Sequence, residues 1–260
     1  MEDKPVLSER SDGLQILILN RPERMNALTV EIKNALGELI STFFADPSAR
    51  CLLISGSGDA FCAGGDLRTL ALGHSPDETR ERMGLSHVWA RQLLTGAKPV
   101  IMAVNGAAAG AGFGLALMGD IILASDTAYF YPGFASIGAA ADLAVAYTLP
   151  RAVGTVRAKQ ILLANRKVTA SEALEMGLVG QLLPAGQLMD EALKLGRKLA
   201  AGPTLGLGHT KILVNRAYEL PLDEFLAAET AAQVETFASE DCREGASAFL
   251  ERRTPVFNGR

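Results

Sequence analysis

The residues with chemical potential in this 260-residue chain stand in two glycine-rich junctions and one isolated acid. The junctions are "CAGGD" at 62–66 and "GAGFG" at 110–114, and each follows an apolar run and precedes a helical pattern. Such junctions offer backbone rather than side chains. The first N–H groups of a helix have no acceptor within the helix, and the local dipole favours negative charge there. Small residues let a ligand approach them. Two converging junctions could therefore hold one developing oxyanion. Tight turns and close helix packing would place glycine at the same positions. Neither stretch matches GxGxxG or GxxxxGK[ST], so a phosphate cradle of those kinds is unsupported. The acid is Asp142, the only Asp, Glu, Lys, Arg or His between Asp126 and Arg151. A carboxylate in so apolar a segment is costly to bury unless it is bonded or used. It could move protons, or it could cap the following helix.

Composition narrows the partners. With 48% hydrophobic and 21% charged residues and a net charge of −4, the chain reads as an ordinary globular protein. The pI is about 5.5 and no long basic run occurs, which argues against nucleic acid or an anionic membrane as the main partner. Cys51, Cys62 and Cys242 are odd in number and lack metal-ligand spacing, so neither a disulfide framework nor structural zinc is expected. The charged N-terminus lacks an apolar core, so no signal peptide is read, and a cytoplasmic location is expected. Residues 99–119 are uncharged and long enough to cross a bilayer, but their Gly and Ala content and Asn105 favour a buried strand followed by a packed helix.

The elements that must position these residues alternate. "PVLSER" and "LQILILN" flank the hairpin signal "SDG", and "TVEIKNALGELISTFF" has helical spacing with Thr29 as N-cap. "CLLISG" reads as a buried strand, and "SGDAFCAGGDL" as a loop leading into a helix. Ser75 and Glu78 form a capping box for a helix reaching about Leu94; Thr169 and Glu172 form another. "VIMAV", "IILA", "AYFY" and "LVGQLLP" read as further strands. From Leu188 the pattern is helical, broken at "AGPT" and "LPLD". The expected fold class is α/β, with a core over residues 1–195 and a helical region over 196–260.

Several separated segments agree in order with one known pattern. "LILNRPERMNAL", "FCAGGDL", "PVIMAVNGAAAGAGFGLALMGDIILASD", "VTASEALEMGLVGQLLP" and "REGASAFLERR" together resemble the crotonase superfamily, or enoyl-CoA hydratase/isomerase family, over most of the chain. The resemblance implies a spiral of repeated ββα units and a C-terminal helical region that serves trimerisation. It implies acyl-CoA thioester substrates and no cofactor or metal beyond the coenzyme A of the substrate. It also implies an oxyanion hole for a thioester enolate, with the N–H groups of Gly65 and Ala111 as donors. Arg24, Met25 and Ala27 match the segment around the CoA adenine. Ala63, Asp66 and Leu67 match the pantetheine side. Phe249 and Arg252 match C-terminal positions that reach toward CoA, often from a neighbouring subunit. A homotrimer or a dimer of trimers is expected.

The chain departs from the hydratase pattern. The two glutamates of family hydratases fall at Gly114 and at Gly133 or Phe134, so hydration of a simple enoyl-CoA is not expected. In "FYPGFASIGAAAD", Asp142 lines up with the catalytic aspartate of epoxyphenylacetyl-CoA isomerase-like and dienoyl-CoA isomerase-like members, with Phe134 in register. Double-bond isomerisation by a single Asp acid/base is the favoured activity. One alternative is a dehalogenase-like or thioesterase-like hydrolase with Asp142 as nucleophile and His87 as base. Another is an acyl-CoA binding protein without catalysis. The 10 phenylalanines and Trp89 are read individually as core residues.

Overall fold

The computed structural model describes residues 4–260. Its strands are β1 (Val6–Ser11), β2 (Leu14–Leu19), β3 (Cys51–Gly56), β4 (Ala60–Cys62), β5 (Val100–Val104), β6 (Ala107–Ala109), β7 (Ile121–Ser125), β8 (Tyr129–Tyr131), β9 (Val168–Thr169) and β10 (Gln181–Leu183). Its helices are α1 (Val30–Ala45), α2 (Leu67–Leu70), α3 (Pro76–Thr95), α4 (Ala111–Ala116), α5 (Val145–Val153), α6 (Thr155–Leu163) and α7 (Ala170–Glu175). The last four are α8 (Ala185–Ala200), α9 (Thr204–Arg216), α10 (Leu222–Ala238) and α11 (Glu240–Glu251).

Two sheets share the strands alternately. β1-β2-β3-β5-β7-β10 form the larger sheet and β4-β6-β8-β9 the smaller. Among the described residues, only the β1–β2 hairpin and the β8–β9 pair are antiparallel. Each turn of the chain lays one strand in each sheet and then a helix: β3, β4 and α3; β5, β6 and α4; β7, β8 and α5. The fold is therefore the ββα spiral that the family resemblance implies. The hairpin turns at Asp12 and Gly13, both with positive φ, as a two-residue connection requires.

The apolar runs explain the layers. Parallel strands covered on both faces read as continuous apolar sequence, and β5 is buried along its whole length. Alternate residues serve opposite faces. Leu52 and Ile54 join the core under Ile32, Leu36 and Ile40 of α1, whereas Leu53 and Ile101 meet Leu188 and Ala192 of α8. Thr29 caps α1, and both capping boxes are present.

Some sequence expectations change, and one alternative reading holds. Residues 60–62 and 107–109 are strands rather than loop and junction; three residues are too few to show periodicity. At Gly112 close packing is real, since an added Cβ would lie 2.1 Å from the Cys62 carbonyl oxygen. Residue 195 lies inside α8, and the chain leaves that helix only at residues 201–203. Trp89, Phe43, Phe61, Phe113 and Phe130 are fully buried, but Phe237 and Phe249 are exposed. No helix among the described residues is long and apolar enough to cross a membrane; residues 99–119 divide among β5, β6 and α4.

Candidate active site

The two glycine-rich junctions meet. An added Cβ on Gly64 (φ +88°) would lie 2.5 Å from the Ala109 carbonyl oxygen and 3.0 Å from the Ala111 nitrogen, so backbone touches backbone here. Leu28 bridges Gly65, and the Leu28 N–H donates to the Gly64 carbonyl at 2.7 Å, fixing the first junction against the start of α1. Ala111 opens α4. Neither the Gly65 N–H nor the Ala111 N–H has an acceptor among the described residues. Both donors are thus left free where the two junctions meet.

Asp142 is half-buried in the segment before α5. Its carboxylate accepts a hydrogen bond from the Leu143 N–H. It does not cap α5, whose N-cap is Ala144 and receives no side-chain bond. Leu143 (φ 49°) and Ala144 (φ 57°) both sit in the left-handed region, at a cost of about 1–2 kcal/mol each. Burial of the Leu143 side chain against the core offsets part of that cost and holds the turn.

Gly114 is the contact that joins the Asp142 segment to α4. An added Cβ at Gly114 would lie 2.4 Å from the Leu143 carbonyl oxygen and 3.2 Å from that of Asp142. Both neighbours are backbone, so neither swings away. The Asp142 turn therefore stands against α4 one helical turn beyond Ala111, about 4.5 Å along the axis. The same contact leaves no room for a glutamate at 114. At the second hydratase position, Gly133 has φ +72°, strained for any side chain, and the Phe134 ring is buried in the core. We expect Gly114→Ala to displace Leu143 and Asp142 and to destabilise the fold by about 1–3 kcal/mol. A lowered urea midpoint with a parallel fall in turnover checks this; a parental midpoint would mean that the turn yields freely.

The remaining expected residues divide. Met25 (φ 48°) and Ala27 flank Asn26, and the Ala63 N–H donates to the Met25 carbonyl at 2.9 Å. Asp66 caps α2, accepting from the Arg68 N–H and the Thr69 hydroxyl, and lies 3.9 Å from the Arg24 guanidinium. Arg24, Met25, Ala63, Asp66 and Leu67 thus gather beside the first junction, with Met25 and Leu67 exposed. Phe249 and Arg252 are not brought there within the chain: both are exposed on α11 and its C-cap, and α11 packs on α10. His87 is exposed on α3 and its imidazole has no hydrogen bond or ion pair among the described residues, so nothing ties it to Asp142. Burial pushes the Cys62 thiol up to about 12, which keeps it neutral beside the Gly64 N–H.

Two residues escaped the sequence reading. Asn26 is fully buried with φ 55°. Its amide oxygen accepts from the Arg21 N–H at 2.8 Å, and its amide nitrogen donates to the Ser57 and Ala60 carbonyls at 2.9 and 2.8 Å. It locks the "RPERMNA" segment onto β4; Asn tolerates the left-handed region, which was the available signal. Lys33, one turn into α1, is half-buried, and its ammonium has neither a hydrogen bond nor an ion pair among the described residues. Burial holds its ammonium below the usual lysine range, partly countered by the Asp142 carboxylate.

Comparison with known proteins agrees with this architecture. The enoyl-CoA hydratase/isomerase family profile matches residues 9–260. Among curated proteins, the chain is 40% identical to the 1,2-epoxyphenylacetyl-CoA isomerase of Escherichia coli (strain K12), covering 98% of each chain. It is 34% identical to the carnitinyl-CoA dehydratase of Proteus mirabilis (strain HI4320), again over 98% of each. Among solved structures, an enoyl-CoA hydratase from Polaromonas sp. JS666 superimposes with a TM-score of 0.93 at 33% identity, covering 97% of this chain and 99% of that one. The chain belongs to the enoyl-CoA hydratase/isomerase family, and it is an acyl-CoA enzyme of that family.

Proposed function

We propose that the protein isomerises a carbon–carbon double bond in an acyl-CoA thioester, with Asp142 as the sole acid/base. The Gly65 and Ala111 N–H groups receive the thioester oxygen. Asp142 takes a proton from the α- or γ-carbon, and the electron pair moves onto that oxygen as an enolate. The enolate collapses, and the protonated Asp142 returns its proton to the other carbon. No co-reactant is needed. The Arg24–Ala27 and Ala63–Leu67 positions lie where the CoA portion would enter. No metal, flavin or nicotinamide has a part.

The observation that carries this reading is the contact between Gly114 and the Leu143 carbonyl, which sets one carboxylate beside the oxyanion helix and excludes the hydratase glutamate. The 40% identity to an isomerase supports it, and the exposed, unbonded His87 disfavours the hydrolytic alternative. Incubation with 2- and 3-enoyl-CoA mixtures, followed by mass spectrometry and deuterium washing-in, tests it. Exchange at the α- and γ-carbons with interconversion of the two is expected. Efficient hydration of crotonyl-CoA, or release of free acid, would overturn it.

A homotrimer or dimer of trimers is also proposed. Leu222, Leu226, Val234 and Phe237 of α10 and Phe249 and Leu250 of α11 are exposed. So much apolar surface on consecutive helices is expected to be covered by a partner. Sedimentation at micromolar concentration should give three or six chains, and a monomer would refute the assembly.

A further inference from the structure

The chain leading to Asp142 has little to hold it in place. Phe134 at one end and Leu143 at the other are buried, but residues 135–140 between them are exposed. Packing therefore does little for this stretch. Ser136 carries the only polar side chain between Pro132 and Ala141. Its hydroxyl oxygen lies 3.0 Å from that of Tyr131 and accepts from the Asn165 amide nitrogen at 2.6 Å. The same amide nitrogen donates to the Tyr131 hydroxyl at 2.7 Å. Three side chains from three parts of the fold thus close a ring of hydrogen bonds.

Each member is tied to a different piece of the structure. Tyr131 ends β8, in register with Ala109 of β6, and its carbonyl accepts the Gly110 N–H at 2.8 Å, one residue before Ala111. An added Cβ on Gly133 would lie 3.4 Å from the Tyr131 ring and 3.9 Å from the Gly110 nitrogen, so ring, turn and glycine junction are in contact. Ser136 sits in a short helical turn at Ala135–Ile137. The Ala139 N–H closes that turn onto the Phe134 carbonyl at 3.0 Å, three residues before Asp142. Asn165 comes from the connection between α6 and β9, and the antiparallel register of β9 on β8 sets Val168 opposite Phe130. It has φ 50° and ends α6, a position that glycine fills with less strain. A glycine could not reach Tyr131 or Ser136. The Asn165 amide oxygen is buried with no partner among the described residues, so the two donated bonds alone orient the amide.

Resting on the isomerase reading, we propose that Tyr131, Ser136 and Asn165 are positioning residues of the reaction. Tyr131 is joined to the oxyanion junction, Ser136 to the segment that carries Asp142, and Asn165 clamps the two together. None of the three moves a proton. The clamp sets the carboxylate relative to the Gly65 and Ala111 donors.

Asn165→Gly separates this role from a merely structural one. It keeps the end of α6 and relieves its backbone, so a residue that only terminates the helix would leave stability and turnover at parental level or above. The clamp gives a split result. The urea midpoint and the affinity for hexanoyl-CoA, a saturated thioester that cannot turn over, should stay parental, while kcat for the enoyl-CoA pair falls by about 10–100-fold. Tyr131→Phe and Ser136→Ala should each lower kcat in part, and Ser136→Thr, which keeps the hydroxyl, should restore most of the loss. Ser136→Ala combined with Asn165→Gly should lose no more than Asn165→Gly alone, because one joint is broken once. In the absence of substrate, backbone amide exchange over residues 133–143 should quicken in Asn165→Gly while β5 keeps its protection. Parental kcat in Asn165→Gly, or parental amide exchange over residues 133–143, would overturn the proposal. Failure of the isomerase reading shows itself instead as parental turnover of Asp142→Asn, and the amide exchange, measured without substrate, remains readable in that case.

Discussion

Asp142→Asn should keep its fold and its acyl-CoA affinity while losing most of its turnover. The amide oxygen of Asn can still accept the Leu143 N–H, so the strained turn at Leu143 and Ala144 keeps its side-chain bond. What the amide cannot do is take a proton from carbon. Acid–base groups contribute about 10²–10⁴-fold, and a sole base belongs at the top of that range. The measurement is twofold: turnover of the enoyl-CoA pair, and washing of solvent deuterium into the α- and γ-carbons. Both should fall together. A variant that exchanges and turns over like the parent would reduce Asp142 to a turn residue.

Lys211→Met should destabilise the fold by about 3–5 kcal/mol, more than Gly114→Ala does. The Lys211 ammonium lies 2.9 Å from the Asp120 carboxylate and donates to the Leu93 and Lys98 carbonyls at 2.8 and 3.1 Å. Asp120 in turn accepts from the Val100 N–H at 2.8 Å, so one cation ties α9 to the entry of β5 and the end of α3. Burial raises the Asp120 carboxyl and lowers the Lys211 ammonium, so desolvation outweighs attraction for each. The intact pair is therefore a weak source of stability, whereas half of it is a liability. Replacing both, as Asp120→Leu with Lys211→Met, should cost less than the sum of the single changes. Urea midpoints of the three variants check this. A parental midpoint for Lys211→Met would show that water reaches Asp120 freely.

The fold was largely legible because its main elements carry strong local signals. Thr29, the two capping boxes and the apolar runs of β3 and β5 each state their structure within a few residues. The smaller sheet was not legible: β4 and β6 have three residues each and exist only by pairing with strands distant in sequence. At the site, Asp142 stood out because nothing else near it in sequence is charged. Lys33 did not, because a lysine in a helix ordinarily reads as solvated surface, and only the packing of α1 on α3 takes it out of water. His87 shows the reverse, a residue conspicuous by type whose side chain the fold leaves exposed.

The backbone contact at Gly114 has a consequence for how such a protein could change its trade. A glutamate there needs the Asp142 turn to retreat, and the retreat alone removes the base on which the proposed isomerisation depends. A glutamate introduced first meets the Leu143 carbonyl and disorders the turn. The two arrangements are separated by a valley that neither step crosses alone. An isomerase and a hydratase on this spiral are in that sense distinct solutions, and selection for hydration would have to rebuild the loop and the helix residue at once.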